Sequence, residues 1–166
     1  MIIHIKYVYI FIYFSMMLIT LKQTNSEDPD FKALVTLLDA ELDERYGAAQ
    51  GFFSQFNSLA QIKHVVVAYA GESPVGCGAI KEYEPGTTEV KRMFVKQEHR
   101  GKGIAGMVLT ELEKQARELG FYHTILQTGT SQPEAVALYE KKGYQHIENY
   151  GQYAGTEGSI CMKKAL

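Results

Sequence analysis

Val90 to Gly106 read VKRMFVKQEHRGKGIAG, and this stretch indicates the fold more strongly than any other part of the chain. Its first half is typical of a β-strand, and a helical pattern begins at Ile104. The loop between them contains Arg100-Gly101-Lys102-Gly103. Glycines let such a loop turn sharply, so that several backbone N–H groups can point at one place. Together with the free amides and positive dipole end of the following helix, the loop is suited to bind a pyrophosphate.

Basic side chains are concentrated in this stretch, although the whole chain has a formal net charge of -2. They are Lys91, Arg92, Lys96, Arg100 and Lys102. The slightly acidic balance argues against a protein that grips nucleic acid, since that needs a broad basic face. Glycine spacing and charge leave two interpretations open at this point: an anion site, or a capped strand-to-helix turn with solvated charges.

Outside this stretch, hydrophobic periodicity predicts one α+β domain. Strands are predicted at 18–24, 64–70, 75–82, 88–95, 122–127, 144–148 and 159–163, and helices at 28–45, 52–59, 104–119 and from Pro133 to Gly143. A four-residue turn, 71–74, is predicted to join the second and third strands. The two cysteines, Cys77 and Cys161, are too few for a disulfide framework or a zinc site. They are interpreted as reduced packing residues, which favours a cytoplasmic location.

The domain is predicted to comprise residues 17–166, and residues 1–16 are interpreted as an apolar N-terminal extension outside it. The run from Tyr7 to Ile19 has the length of a signal-peptide core and is short for a membrane span. Three explanations stay open: translation that begins at Met16 or Met17, a membrane anchor or signal, or an ordered extension. A membrane partner is expected only if this segment is present in the native protein.

Two motifs, in the expected order, resemble those of the GNAT superfamily of N-acetyltransferases. Residues 100–105, RGKGIA, are similar to the superfamily signature R/Q-x-x-G-x-G/A. Residues 132–144, QPEAVALYEKKGY, are similar to its segment N-x-x-A-x-x-L-Y-x-x-x-G-[FY]. The resemblance covers about residues 18–166. It implies a mixed, mostly antiparallel central sheet of about six to seven strands flanked by about four helices.

The resemblance also implies acetyl-CoA as cosubstrate, with no metal, in a cleft between two strands that splay apart and end near Val95 and Thr128. Backbone groups of Met93 and Val95, with Phe94 between them, would pair with the pantetheine arm and the acetyl carbonyl. The pyrophosphate would be held by the Arg100 side chain and by the amides of a set of loop residues: Gly101, Lys102, Gly103, Ile104 and Ala105. Gln132 stands where the superfamily often has an asparagine that contacts the pantetheine.

By the same resemblance, Tyr139 would protonate the departing CoA thiolate. A tyrosine of ordinary pKa, about 10, is protonated at neutral pH and can act as an acid; without the resemblance, a packing aromatic residue is the simpler interpretation. An alkyl amine must lose a proton before it attacks, and Glu89 is the first candidate for that base, with Glu82 second. The loop tyrosines Tyr150 and Tyr153 are candidates for the acceptor pocket.

The resulting hypothesis is an acyltransferase that moves an acetyl group from acetyl-CoA to a primary amine of a small molecule or peptide. The transfer would occur by direct attack within a ternary complex, without a covalent enzyme intermediate. The alternative is a catalytically silent CoA-binding regulatory module. No nucleic-acid partner is expected, and a homodimer is possible.

Overall fold

The computed structural model describes residues 18–47, 51, 55 and 58–166. Within them the chain forms a seven-stranded sheet and three α-helices. The strands are β1 (Ile19–Thr24), β2 (His64–Ala70), β3 (Ser73–Glu84), β4 (Thr87–Val95), β5 (His123–Gly129), β6 (Gln145–Ile147) and β7 (Ser159–Ala165). The helices are α1 (Pro29–Tyr46), α2 (Ile104–Glu118) and α3 (Pro133–Lys141), and short 3-10 turns occur at Gln97–His99 and Gly151–Tyr153.

The predicted α+β sheet is confirmed, and the expected number of helices differs slightly. About four helices were expected, and the described residues contain three. The predicted helix at 52–59 lies largely outside the described residues, as does the whole N-terminal extension, 1–16. None of the helices in the described part of the chain is both long enough and apolar enough to span a bilayer.

The predicted four-residue turn at 71–74 was wrong, because the hairpin between β2 and β3 closes over only two residues. Ser73 already pairs with Ala70, and Pro74 pairs with Tyr69. Gly71 has a φ of 61°, a conformation in which glycine alone bears no steric cost and which two-residue hairpin turns require. Pro74 is tolerated near the beginning of β3 because the register shifts there, between Ala68 and Tyr69.

The sheet has the strand order β1-β2-β3-β4-β5-β7-β6. Every neighbouring pair is antiparallel except β4 and β5, which are parallel. The connection from β4 to β5 therefore has to cross over the sheet, and α2 provides it. This crossover places the beginning of α2 beside the end of β4, where the glycine loop lies.

The two faces of the sheet carry separate cores because side chains alternate along each strand. On one face, α1 packs through Phe31, Leu34, Val35 and Leu38 against strand residues that include Val65 and Val67. On the other face, α2 and Tyr139 of α3 pack against the intervening strand residues, which include Val66 and Ala68. The sheet is thus sandwiched between α1 and the α2–α3 pair.

The N-terminus of α1 is fixed by Asp28. One carboxylate oxygen of Asp28 accepts hydrogen bonds from the backbone N–H of Asp30 and of Phe31, at 2.9 and 3.1 Å. The other oxygen is 2.8 Å from the ammonium of Lys22 on β1. Pro29 at the first helical position lacks an N–H that would have no partner in the helix. Capping and the ion pair together fix where α1 crosses the sheet.

Candidate active site

The site lies where β4 and β5 separate. The two strands are paired from Thr87–His123 to Val90–Leu126. β4 then continues to Val95 and β5 to Gly129. Among the described strands, none pairs with β4 along this edge beyond Val90. The divergence opens a cleft through the sheet, as the sequence predicted for strands that end near Val95 and Thr128.

A β-bulge in β4 shapes one wall of this cleft. The register with β3 shifts between Cys77 and Ala79, and Arg92 at the shift has a φ of 58°. A left-handed residue other than glycine costs about 1–2 kcal/mol. The Arg92 guanidinium is held by Asp39 of α1, with 2.8 Å between Nη1 and Oδ1. The bulge therefore changes the direction of β4 just before Met93, and α1 holds it in place.

Gly78 on β3 makes room for the side chain of Met93. A Cβ atom at Gly78 would lie 2.4 Å from the Met93 sulfur and 2.9 Å from side-chain carbons of Leu112 and Val108. Contacts this short do not occur in packed cores, so any larger residue at Gly78 has to displace Met93. A glycine at this position thus determines where Met93 lies in the cleft.

The glycine loop has the conformation that the sequence predicted. Gly101 and Gly103 have φ values of 73° and 78°, and Gly103 caps the N-terminus of α2. Lys102 is exposed, and its ammonium donates to the carbonyl of Glu98 at 3.0 Å. Ile104 is buried in the core beneath α2. Neither residue lines the loop cavity described below, so a role for their amides stays a prediction.

The glycine loop, the end of β4 and α3 enclose a cavity of about 300 Å³, which we call the loop cavity. Its lining includes every predicted cofactor-binding residue except Lys102 and Ile104: Met93, Phe94, Val95, Arg100, Gly101, Gly103, Ala105 and Gln132. The structure therefore gathers residues from two separate sequence motifs around one space.

A second, smaller cavity of about 100 Å³ lies on the α1 side of the cleft, and we call it the α1 cavity. It is lined by Leu38, Leu42, Tyr46, Val90, Lys91, Arg92, Met93, Gln127, Thr128, Gln132 and Tyr139. The charged side chains in this lining are both basic, Lys91 and Arg92. Sequence reasoning did not assign either of them to an acceptor site, nor did it assign Tyr46.

The two cavities meet at a common wall. Four residues line both of them: Leu38, Met93, Gln132 and Tyr139. The Gln132 amide donates to the hydroxyl of Tyr46 at 2.9 Å, so the end of α1 is tied to the beginning of α3. Residues of α1, β4 and α3 thus form the boundary between the two cavities.

Tyr139 is the titratable side chain at the common wall. It is 5% exposed, and its ring contacts that of Tyr144 edge to face, with 5.7 Å between ring centroids. Burial raises the pKa of Tyr139 above its usual value of about 10. Its hydroxyl is therefore protonated at neutral pH, as the predicted acid role requires.

The Arg100 side chain is bound to α1 rather than directed only into the loop cavity. Its Nε donates to the carbonyl of Val95 at 2.9 Å, and its terminal nitrogen pairs with Glu41. Burial alone would raise the pKa of the Glu41 carboxyl, but the hydrogen bond and charge of Arg100 outweigh it and lower that pKa. Glu41 is therefore ionised at neutral pH. Whether Arg100 holds a pyrophosphate stays a prediction.

Glu89 is not brought into either cavity. It is 1% exposed, and its carboxylate lies 3.4 Å from the ammonium of Lys81 and 3.5 Å from that of Lys91. Tyr150 donates its hydroxyl to the same carboxylate at 3.0 Å, and the Lys91 ammonium donates to the hydroxyl of Tyr153 at 3.2 Å. We call these five residues the Glu89 cluster. The role of Glu89 as general base stays a prediction. Because Glu89 lines neither cavity, a proton from a substrate could reach it only through an intervening group.

The Glu89 cluster lies beside the α1 cavity and shares Lys91 with it. Tyr150 and Tyr153, predicted to line an acceptor pocket, line neither cavity in the described structure. They instead belong to the Glu89 cluster, and their rings are in edge contact, with 5.7 Å between centroids. Burial raises the pKa of Tyr153 to about 12, so its hydroxyl is neutral. Glu82, the second candidate base, is exposed on β3.

A metal site has no support in the described residues. Within 18–47 and 58–166, no three His, Cys, Asp or Glu side chains are grouped closely enough to hold an ion. Cys77 and Cys161 are both buried free thiols, and burial raises the pKa of the Cys77 thiol to about 12. Neither thiol is therefore a reactive nucleophile.

Comparison with known proteins identifies a family and a set of relatives. A model of the acetyltransferase (GNAT) family matches residues 25–144. The chain is 36% identical over 136 residues to the IAA acetyltransferase of Azospirillum brasilense, which covers 80% of this chain and 88% of that protein. The part matched by the family model includes both motifs and all of the residues that line the two cavities.

Solved structures share the same fold. A Klebsiella pneumoniae protein assigned as an acyl-CoA N-acyltransferase superposes with a TM-score of 0.75 at 30% identity, over 90% of this chain and 99% of that one. A GNAT family acetyltransferase from Elizabethkingia anophelis, solved with acetyl-CoA bound, superposes with a TM-score of 0.66 at 19% identity, over 89% and 98% of the two chains. The arrangement of β4, the loop and α2 is thus one that occurs in proteins of known structure.

Proposed function

Because this chain belongs to the acetyltransferase (GNAT) family, we propose that it transfers an acetyl group from acetyl-CoA to a primary amine of a small molecule or peptide. The observation that carries the proposal is the pair of cavities with a common wall at Tyr139 and Met93. One cavity ends at a glycine loop and a helix N-terminus, which suit a pyrophosphate. The other is separate and leaves room for a second substrate.

Acetyl-CoA fits the loop cavity in one orientation. The amides of Gly101 to Ala105 and the Arg100 side chain hold the pyrophosphate at the head of α2. The pantetheine arm follows the edge of β4 that β5 leaves beyond Val90, so that backbone groups of Met93 and Val95 can pair with it. The thioester then reaches the common wall, with Gln132 beside it. A backbone N–H aimed at the thioester oxygen stabilises the charge that develops there during attack.

The amine occupies the α1 cavity, and its nitrogen attacks the thioester where the two cavities adjoin. Its nitrogen forms a bond to the thioester carbon, the carbon–sulfur bond breaks, and CoA leaves as a thiolate that takes the Tyr139 hydroxyl proton. Burial raises the pKa of Tyr139, so its hydroxyl keeps its proton until a thiolate forms beside it, and the same apolar surroundings raise the proton affinity of that thiolate. The nitrogen, positively charged after the attack, releases one N–H proton to solvent as the amide forms. Tyr139 regains a proton from solvent, and the products are an amide and CoA.

The amine has to arrive unprotonated, and the charges of the α1 cavity assist this. Lys91 and Arg92 in its lining disfavour a second cation nearby and so lower the pKa of the incoming ammonium. The proton goes to solvent or, through a water, to Glu89, which we retain as the proposed base.

Replacing Tyr139 by phenylalanine tests the acid role. We expect kcat to fall by about 10²–10⁴-fold, the range typical of a lost general acid, while the affinity for CoA is retained. Release of CoA is measured with a thiol reagent and CoA binding by calorimetry. Tyr144→Phe is the matched control, since Tyr144 is a buried tyrosine that touches the Tyr139 ring but lines neither cavity. Equal kcat values for the two variants would refute the assignment.

A further inference from the structure

The charges around the α1 cavity are unbalanced. Lys91 and Arg92 line it, and no acidic side chain does so among the described residues. The carboxylates that pair with these two side chains are Asp39, at 2.8 Å from Arg92, and Glu89, which also pairs with Lys81. These five side chains carry three positive and two negative charges, so one positive charge remains beside the cavity.

Lys91 links this excess charge to the cavity, because it lines the α1 cavity and is also a member of the Glu89 cluster. Its side chain is only 10% exposed, and a charge with so little contact with water needs partners. An ammonium has three N–H donors. Two of them are used by Tyr153 at 3.2 Å and by Glu89 at 3.5 Å, which leaves one without a partner among the described residues. An anionic group in the cavity would complete the hydrogen bonding and neutralise the charge.

The charge of the acceptor amine is a second reason to expect an anionic group in the cavity. An alkylamine is a cation at neutral pH, and a simple amine would meet only positive charge in the cavity lining, which is unfavourable at short range. An amine that also carries a carboxylate is attracted by Lys91, and its amino group can still reach the common wall. Gln127 and Thr128 in the lining provide further polar contacts. The charge pattern therefore selects between two classes of amine.

We infer that the acceptor is an amino carboxylate, and that Lys91 holds its carboxylate. This inference rests on the proposed function, because it assigns the α1 cavity to the acceptor. Lys91 is then a specificity-determining residue, and the Glu89 cluster holds it in place.

The inference is tested by binding, so that it does not depend on turnover. Phenylalanine, phenylalaninamide and phenethylamine, and the corresponding leucine and serine sets, are titrated into protein saturated with CoA. We expect the amino acids to bind about ten- to hundred-fold more tightly than the partners without a carboxylate, the range of a hydrogen bond between charged groups. Equal affinity within every set, or no binding by any amino acid, would overturn the inference.

A lysine variant separates carboxylate binding from a structural role. Lys91→Met is expected to lose the preference for the amino acids while the affinity for phenethylamine is retained, and Lys91→Arg to restore part of that preference. Lys114→Met is the control, since Lys114 is an exposed lysine of α2 outside both cavities. If Lys91→Met weakened every ligand equally, Lys91 would not hold the carboxylate. The proposed function itself fails separately, if bound amines are not acetylated when acetyl-CoA replaces CoA.

Discussion

Replacing Gly103 by alanine tests whether the conformation of the glycine loop is what binds the cofactor. Gly103 caps α2 with a φ of 78°, and a Cβ atom built there meets nothing within 4 Å. The substitution therefore adds no clash within the protein and costs only the left-handed conformation, about 1–2 kcal/mol for a residue with a side chain. We expect this cost to be shared between the free energy of unfolding and the binding of CoA, according to how far the loop relaxes without ligand.

The same cost is expected to appear in cofactor affinity. Without ligand, the alanine relieves its strain by rotating the backbone, and the amides at the head of α2 turn away from their common point. Binding of the pyrophosphate has to restore them, so the dissociation constant for CoA should rise by up to about 5–30-fold, the equivalent of 1–2 kcal/mol if the loop relaxes fully. Calorimetric titration with CoA measures the affinity, and chemical denaturation measures the stability.

Gly71→Ala provides the matched control for this experiment. Gly71 has a φ of 61° and likewise nothing within 4 Å of a built Cβ, but it lies in the turn between β2 and β3. Its substitution should cost a similar amount of stability and leave CoA binding unchanged. If Gly103→Ala cost clearly less stability than Gly71→Ala, which would show that the loop had relaxed, and still bound CoA as tightly as the unmodified protein, the loop amides would not be the pyrophosphate site.

Two further substitutions test the charged groups. Glu89→Gln should lower the free energy of unfolding by about 1–3 kcal/mol, because Lys81 and Lys91 lose a charged partner. If Glu89 is also the base, the fall of kcat/KM at acidic pH becomes less steep in this variant, because only protonation of the amine then contributes to it; an unaltered pH profile would exclude that role. Asp28→Ala should cost about 1–2 kcal/mol as a lost helix cap. Burial raises the pKa of Asp28, but hydrogen bonds from Lys22 and the Phe31 N–H outweigh it and lower that pKa. The stabilisation is therefore present above the unfolded pKa of about 3.9 and is lost as pH falls through the folded value, which acid unfolding of the two proteins would show.

Most of the fold could be predicted because its signals are local. The glycines at 101 and 103, the apolar spacing of α2 and the proline that begins α3 each depend on residues close in sequence. Apart from the predicted helix at 52–59, which lies largely outside the described residues, each predicted element is found within a few residues of its expected position. The prediction of a turn at 71–74 was wrong because the sequence pattern does not distinguish a turn residue from a strand residue at a bulge. Pro74 looked like a turn signal, but it pairs with Tyr69.

The candidate site could be predicted only where its residues belong to motifs that are continuous in sequence. The loop cavity gathers two motifs that a sequence pattern can find. The α1 cavity depends on contacts between distant parts of the chain: Tyr46 bonds to Gln132, and Asp39 holds Arg92. Nothing in the spacing of α1 indicates these partners. Likewise, Tyr150 and Tyr153 are aromatic residues in a loop, and their sequence does not show that they cover a buried carboxylate.

The pairing of Arg100 with Glu41 has a consequence for the protein between catalytic cycles. A cleft that binds a dianion has to contain positive charge, and an empty one would leave a half-buried guanidinium unmatched. Glu41 serves as an internal counterion that bridges α1 to the loop while the cleft is vacant. If Arg100 holds the pyrophosphate as proposed, binding of the cofactor exchanges one anion for another at Arg100, and release of the cofactor restores the ion pair with Glu41.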